Sequence, residues 1–116
     1  MKKSWLILVA ILILASVLVG GFFMWKRNAS TIEPIIVTIK DFSFSPETLV
    51  LKTGGAPTTV TWDNEDAVIH DVTMDNGLFD KDINPGESFS YTFTEAGTYD
   101  YHCDIHTSMK GKIIVE

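Results

Sequence analysis

From Ile35 onward, apolar and polar residues alternate in short runs broken by turn formers, and no stretch of useful length has a helical period. Ile35, Val37 and Ile39 share one parity in IIVTIK, and Phe42 and Phe44 share one in DFSF before Ser45-Pro46. TLVL, from Thr48 to Leu51, leads into the turn-rich KTGGAP, and Val60 and Trp62 align in TTVTW. VIHDVTM follows the polar break DNEDA, and the segment DNGLFDKDINPGE reads as a loop around Asn76-Gly77 and Asn84-Pro85-Gly86. SFSYTF aligns Phe89, Tyr91 and Phe93; TYDYHC aligns Tyr99, Tyr101 and Cys103; KGKIIVE aligns Ile113 and Val115. Period-two alternation is what a sheet with one buried face requires. The pattern predicts an all-β domain over residues 35–116, with seven to eight short strands in a sandwich or a closed barrel. There is no internal repeat and no low-complexity tract.

The first 27 residues follow a different pattern. After Met-Lys-Lys-Ser, the run from Trp5 to Trp25 carries no charge, and Lys26-Arg27 closes it. As a helix it would span roughly 32 Å, about one hydrocarbon core, with a tryptophan at each interface. This predicts one transmembrane helix, an uncleaved anchor through residues 5–25. A cleaved signal peptide is the rival reading. Its apolar region is usually ~7–15 residues and ends in a small-x-small site, whereas this run is longer and resumes with Phe22-Phe23-Met24-Trp25. Basic residues flank both ends, so the positive-inside count does not set the orientation. Residues 28–34 read as a short linker; the Asn28-Ala29-Ser30 sequon within it lies too close to the membrane to carry weight.

Charge sharpens the division. Lys2, Lys3, Lys26 and Arg27 are four of the nine basic residues, so residues 28–116 hold 5 basic and 15 acidic groups, a balance of −10 against −6 for the whole chain. That makes nucleic acid an unsuitable partner, because phosphate binding needs clustered Lys and Arg. The single cysteine, Cys103, forbids an intrachain disulfide. A domain this small often needs a metal, a disulfide or an oligomer to support its limited core, and with no disulfide the metal gains weight.

The segment Cys103-Asp104-Ile105-His106-Thr107-Ser108-Met109 spaces a thiol, an imidazole and a thioether three residues apart each time, in a loop before the last strand. His70, at the start of VIHDVTM, brings a second imidazole from another strand end. Two nitrogens, one thiolate and one weak axial sulfur are the donor set of a blue-copper centre. Four protein ligands leave no open coordination position, and catalytic metal sites usually keep one. The set is therefore suited to carrying an electron and not to turning over a substrate. Alone, Cys103 would be a small buried hydrophobe, Met109 core filler and His70 a satisfied core histidine; their joint appearance at loop ends favours the ligand reading. His102 has the opposite parity to Cys103 and is expected to face away from the metal, and Met74 reads as core. Haem attachment through Cys-x-x-Cys-His and a binuclear copper centre both need a second cysteine.

These stretches resemble the cupredoxin family, in its plastocyanin and amicyanin branch, over about residues 35–116. DFSFSPETLVLKTGG is similar to the family's opening strands, with the aromatic-x-aromatic-x-Pro pattern at Phe42, Phe44 and Pro46. VTWDNEDAVIHDV resembles the strand and loop that deliver the first histidine, and GTYDYHCDIHTSMKGKIIVE the last two strands and a short, amicyanin-like ligand loop. The resemblance implies a Greek-key β-sandwich binding one copper ion, with His70, Cys103 and His106 as strong ligands and Met109 as the weak axial one. It implies a one-electron carrier that touches redox proteins, such as a cytochrome, oxidase or reductase domain, transiently near His106. Ile105, Val68 and Ile69 are the expected patch residues, with Glu65, Asp66, Asp71 and Asp104 on its rim. There are two departures within the domain. Asp71 stands where relatives often have Asn, which alters the tie to the ligand loop, and the loop lacks prolines beside His106.

The expected location is the extracytoplasmic face of a membrane, periplasmic or extracellular, with no small-molecule substrate. Copper storage or delivery is the alternative function, disfavoured because the domain offers only Met74 and Met109 as thioethers. A structural zinc module is disfavoured because a thioether is a poor zinc donor.

Overall fold

The computed structural model describes residues 33–116, and Pro34–Glu116 form one compact unit. The expected membrane helix over residues 5–25 lies outside the described residues. Among the described residues, nine strands build two sheets. They are β1 (Ile35–Lys40), β2 (Ser43–Ser45), β3 (Thr48–Leu51), β4 (Thr58–Asn64), β5 (His70–Met74), β6 (Asp80–Ile83), β7 (Ser88–Phe93), β8 (Gly97–His102) and β9 (Lys110–Val115). One sheet runs β2-β1-β4-β7 and the other β3-β9-β8-β5-β6. Two pairings are parallel, β1 with β4 and β3 with β9, and the rest are antiparallel.

The inward parity of each strand supplies the core between the sheets: Val37 and Ile39, Phe44, Leu51, Val60 and Trp62, Val72 and Met74, Ile83, Phe93, Tyr101, Ile113 and Val115. Met74 is core, as its parity predicts. Trp62 anchors the centre, with Phe79 and Tyr101 meeting it edge-on and Phe89 stacked at 6.1 Å. Aromatic pairs of this kind contribute about 0.5–1.5 kcal/mol each beyond the area they bury. Gly111 is the glycine that packing demands. It pairs with Tyr101 across β8 and β9, and a Cβ there would lie 2.6 Å from Tyr101 Cε2 and overlap the ring. Two polar atoms, Trp62 Nε1 and Tyr101 Oη, are buried without a hydrogen-bond partner among the described residues. Burial pushes the Tyr101 phenol up to about 12.

The strand count corrects the sequence reading of seven to eight. The extra strand, β6, lies in the segment DNGLFDKDINPGE read as a loop. Only Ile83 of its four residues turns inward, while Asp80, Lys81 and Asp82 are exposed at the sheet edge. A charged edge strand gives no alternation to read, and those charges discourage further strand pairing.

Candidate metal centre

The site forms where two connections, β4 to β5 and β8 to β9, meet at one end of the sandwich. His70 opens β5, Cys103 follows the last residue of β8, and the loop from Cys103 to Met109 returns the chain to β9. Two backbone hydrogen bonds close that loop: Cys103 N–H donates to Met109 O at 3.1 Å, and Met109 N–H to His106 O at 3.0 Å. Cys103, His70 and Met109 are buried, whereas His106 is partly exposed.

The connection that carries His70 is organised from inside by Asn64, the last residue of β4, which is completely buried. Its side-chain amide donates to Val68 O and Ile83 O, both at 2.9 Å, while its Oδ1 accepts Asp66 N–H at 3.0 Å. Both N–H groups and the oxygen of that amide are thus used, and they tie the connection it shapes to β6.

Three donor atoms converge. His70 Nδ1 lies 3.1 Å from His106 Nδ1 and 4.0 Å from Cys103 Sγ, and one ligand atom from each residue lies within 4.8 Å of the others. The far side of the His70 ring fixes its protonation pattern. Nε2 is 2.8 Å from Asp66 Oδ2, and an ionised carboxylate only accepts, so Nε2 carries a proton and, in the neutral ring, Nδ1 is the lone pair. A single proton or a cation between the two Nδ1 atoms makes their 3.1 Å approach favourable. Burial pushes the Cys103 thiol up, against the pull of the Asp71 N–H, which reaches Sγ at 3.4 Å. A thiol in that position becomes a thiolate when a cation displaces its proton. Two imidazole nitrogens, this sulfur and the buried Met109 thioether in the adjoining loop fit one type 1 copper ion.

Around this cluster the structure refines several expectations. Asp71 does tie the ligand loop, as an acceptor: its Oδ1 takes Asp104 N–H at 2.6 Å. His102 faces away, as its parity predicts, with Nδ1 2.6 Å from Asp75 Oδ1 and Nε2 2.8 Å from Asp104 Oδ1. Those contacts, Asp75 first, hold its pKa above the usual imidazole value. Ile105, Val68 and Ile69 are exposed as expected of a patch. Phe42 joins them, 51% exposed, with its ring edge-on to both His70 and His106 at 5.3 and 4.8 Å. Alternation with Phe44 gave Phe42 no separate role, yet only Phe44 is core. Asp66, expected on the rim, turns inward to His70, and its side chain is only 12% exposed. Its place four residues before a histidine was the one signal available.

Comparison with known proteins agrees with this geometry. A family model described as a cupredoxin-like domain matches residues 8–115. Amicyanin of Paracoccus denitrificans is 40% identical over 88 residues, which are 71% of this chain and 65% of that protein. Chloroplastic plastocyanin of Tetradesmus obliquus is 32% identical over 117 residues, covering 88% of this chain and 78% of that one. A solved amicyanin variant in the Cu(I) state superposes with a TM-score of 0.64 at 34% identity, over 76% of this chain and 87% of that one. The fold, the converging donors and these matches together make this chain a member of the cupredoxin family, similar to the amicyanins and plastocyanins.

Proposed function

We propose that the chain is a one-electron carrier with a mononuclear type 1 copper centre, ligated closely by His70, Cys103 and His106 and axially by Met109. The observation that carries this reading is the convergence of one nitrogen from each of His70 and His106 with Cys103 Sγ, all within 4.8 Å, where the His106 imidazole is partly exposed. Copper bound there supplies a reversible one-electron couple. The chain supplies the rest. Asp66 and Asp71 hold the His70 ring and the Cys103–Asp104 turn in place, so little needs to rearrange when charge changes. Phe42 packs edge-on against both imidazoles, and His106 gives the site an edge toward solvent.

The partners are redox proteins that dock transiently over Phe42, Ile105, Val68 and Ile69, where a small apolar contact permits fast release. The unbroken apolar run from Trp5 to Trp25 supports a membrane anchor, with residues 28–34 as a tether to the copper domain of residues 35–116; the extracytoplasmic face is the side we assign from the metal site and not from the run. A reducing cytosol offers no reason against a thiol, but an exported domain with one cysteine gives Cys103 a use other than pairing.

The test is to load the full-length chain with Cu(II), record its visible spectrum and titrate it with ascorbate. An intense thiolate-to-copper band that bleaches and returns with one electron supports the carrier. A colourless protein that takes only Cu(I) would instead make it a storage or delivery protein, and preference for Zn(II) a structural module. Membrane fractionation of the chain with and without residues 1–27 tests the anchor.

A further inference from the structure

The connection between β1 and β2 is a two-residue hairpin turn, Asp41-Phe42, flanked by the Lys40–Ser43 pair. Both turn residues have positive φ, 52° and 57°. That geometry suits a tight hairpin, but Asn-Gly is its usual sequence, and a bulky aromatic in the left-handed region is an outlier. Something outside the turn must hold it, and strain of this kind gathers at functional sites. The holder is visible. Asp66 Oδ1 accepts Asp41 N–H at 2.8 Å and Oδ2 accepts Phe42 N–H at 3.0 Å. The same Oδ2 takes His70 Nε2–H at 2.8 Å.

One carboxylate therefore receives three N–H groups from two sides. On one side is the ring that offers Nδ1 to the metal. On the other is the turn that seats Phe42 across both imidazoles. Three N–H donors on two oxygens favour the carboxylate form of the side chain. Hydrogen bonds to a charged acceptor are the stronger and shorter class, which is what a strained turn and a fixed tautomer both require.

We propose that Asp66 is a positioning residue of the metal centre, a single carboxylate that fixes the Nε2–H tautomer of His70 and clamps Phe42 in its left-handed turn over His70 and His106. The metal side of this inference rests on the copper reading given above; the tautomer and the turn do not. The consequence is coupling. The imidazole that binds metal and the aromatic at the exposed edge of the site share one support, so a change at either is felt at the other.

The experiment compares the full-length chain with Asp66→Ala and Asp66→Asn. Asparagine keeps the shape but has one acceptor oxygen for three donors, so it covers the case in which the alanine variant fails to fold. In the metal-free protein, ¹⁵N NMR of the imidazoles is expected to show a pure Nε2–H tautomer for His70, which becomes mixed in both variants. The amide couplings of Asp41 and Phe42 should leave left-handed values, and the contacts between the Phe42 ring and His106 should weaken. Copper affinity should fall by about 10–100-fold, the usual effect of removing a ligand's outer partner. Folded variants that retain the His70 tautomer, the Phe42 contacts and full copper affinity would overturn the proposal. Asp66 would then be a plain turn cap. If the unaltered chain binds no copper, the carrier reading fails, and the metal-free spectra still decide the role of Asp66.

Discussion

At the scale of single residues, Met109 and Tyr101 separate what the site needs from what the core needs. Met109 is both a candidate axial donor and a buried side chain. Leucine conserves its volume, and such swaps usually cost less than about 1.5 kcal/mol. A lone-pair donor favours the more highly charged Cu(II), so its removal favours Cu(I). Met109→Leu should therefore leave thermal unfolding nearly unchanged while the reduction potential rises; a large fall in Tm with a fixed potential would place Met109 in the core alone. Tyr101 presents the converse case. Its Oη is buried without a partner among the described residues, and burying an unpaired hydroxyl carries a penalty of about 1–3 kcal/mol. Tyr101→Phe removes that group and keeps the ring against Trp62 and Phe44. Stability should stay level or rise by about 1 kcal/mol, read from urea unfolding, and a marked loss would mean that Oη has a partner in solution.

At the scale of elements, the connection from β4 to β5 matters most, and Asn64 governs it. Asn64→Ala leaves the Val68 and Ile83 carbonyls and the Asp66 N–H without their partner. A loss of at least about 2 kcal/mol follows, a fall in Tm on the order of 10 °C for a domain of this size. Because the same loop carries Asp66 and His70, copper affinity should fall as well; an intact site in a destabilised fold would show that β5 alone positions His70. The contrast between Asn64 and Val60 also marks what could be read from the chain. Val60 and Trp62 announce their strand by parity, as do Ile113 and Val115 in β9. His70, Cys103, His106 and Met109 were legible as candidates because their chemistry is rare in combination and three of them share one short loop. Asn64, Asp66 and Phe42 were not, because each acts in part through partners 19 or more residues away, and Asp-Phe carries no turn signal of its own. The edge strand β6 was hidden for a related reason: its pairing with β5 is made by backbone atoms, under side chains that look like a loop.

At the scale of the whole molecule, metal and charge set the behaviour. The native cluster gathers three donors that the unfolded chain scatters from position 70 to position 106, so copper binding adds to folding stability. With free copper at 100 times its dissociation constant the gain is about 2.7 kcal/mol, a rise in Tm on the order of 10 °C. Cys103→Ser should lose most of that rise, and an equal rise in the variant would put the stabilising metal elsewhere. Charge governs encounter. Residues 28–116 carry a balance of −10, and Asp71, Asp80 and Asp104 bring carboxylate oxygens within 4.8 Å of one another beside the Cys103 loop. His102 lies between Asp75 and Asp104, and Lys112 is paired with Asp100 away from the loop. A field of this sign attracts cations to the end of the sandwich where His106 reaches solvent, and it weakens as salt shortens the Debye length from about 30 Å at 0.01 M to about 3 Å at 1 M. Stopped-flow oxidation of the copper(I) protein is therefore expected to slow with added salt when the oxidant is a cobalt or ruthenium ammine cation, and to quicken when it is ferricyanide. Matching salt responses for the two oxidants would mean that electrons leave through a neutral surface, and that the acidic face recruits no basic partner.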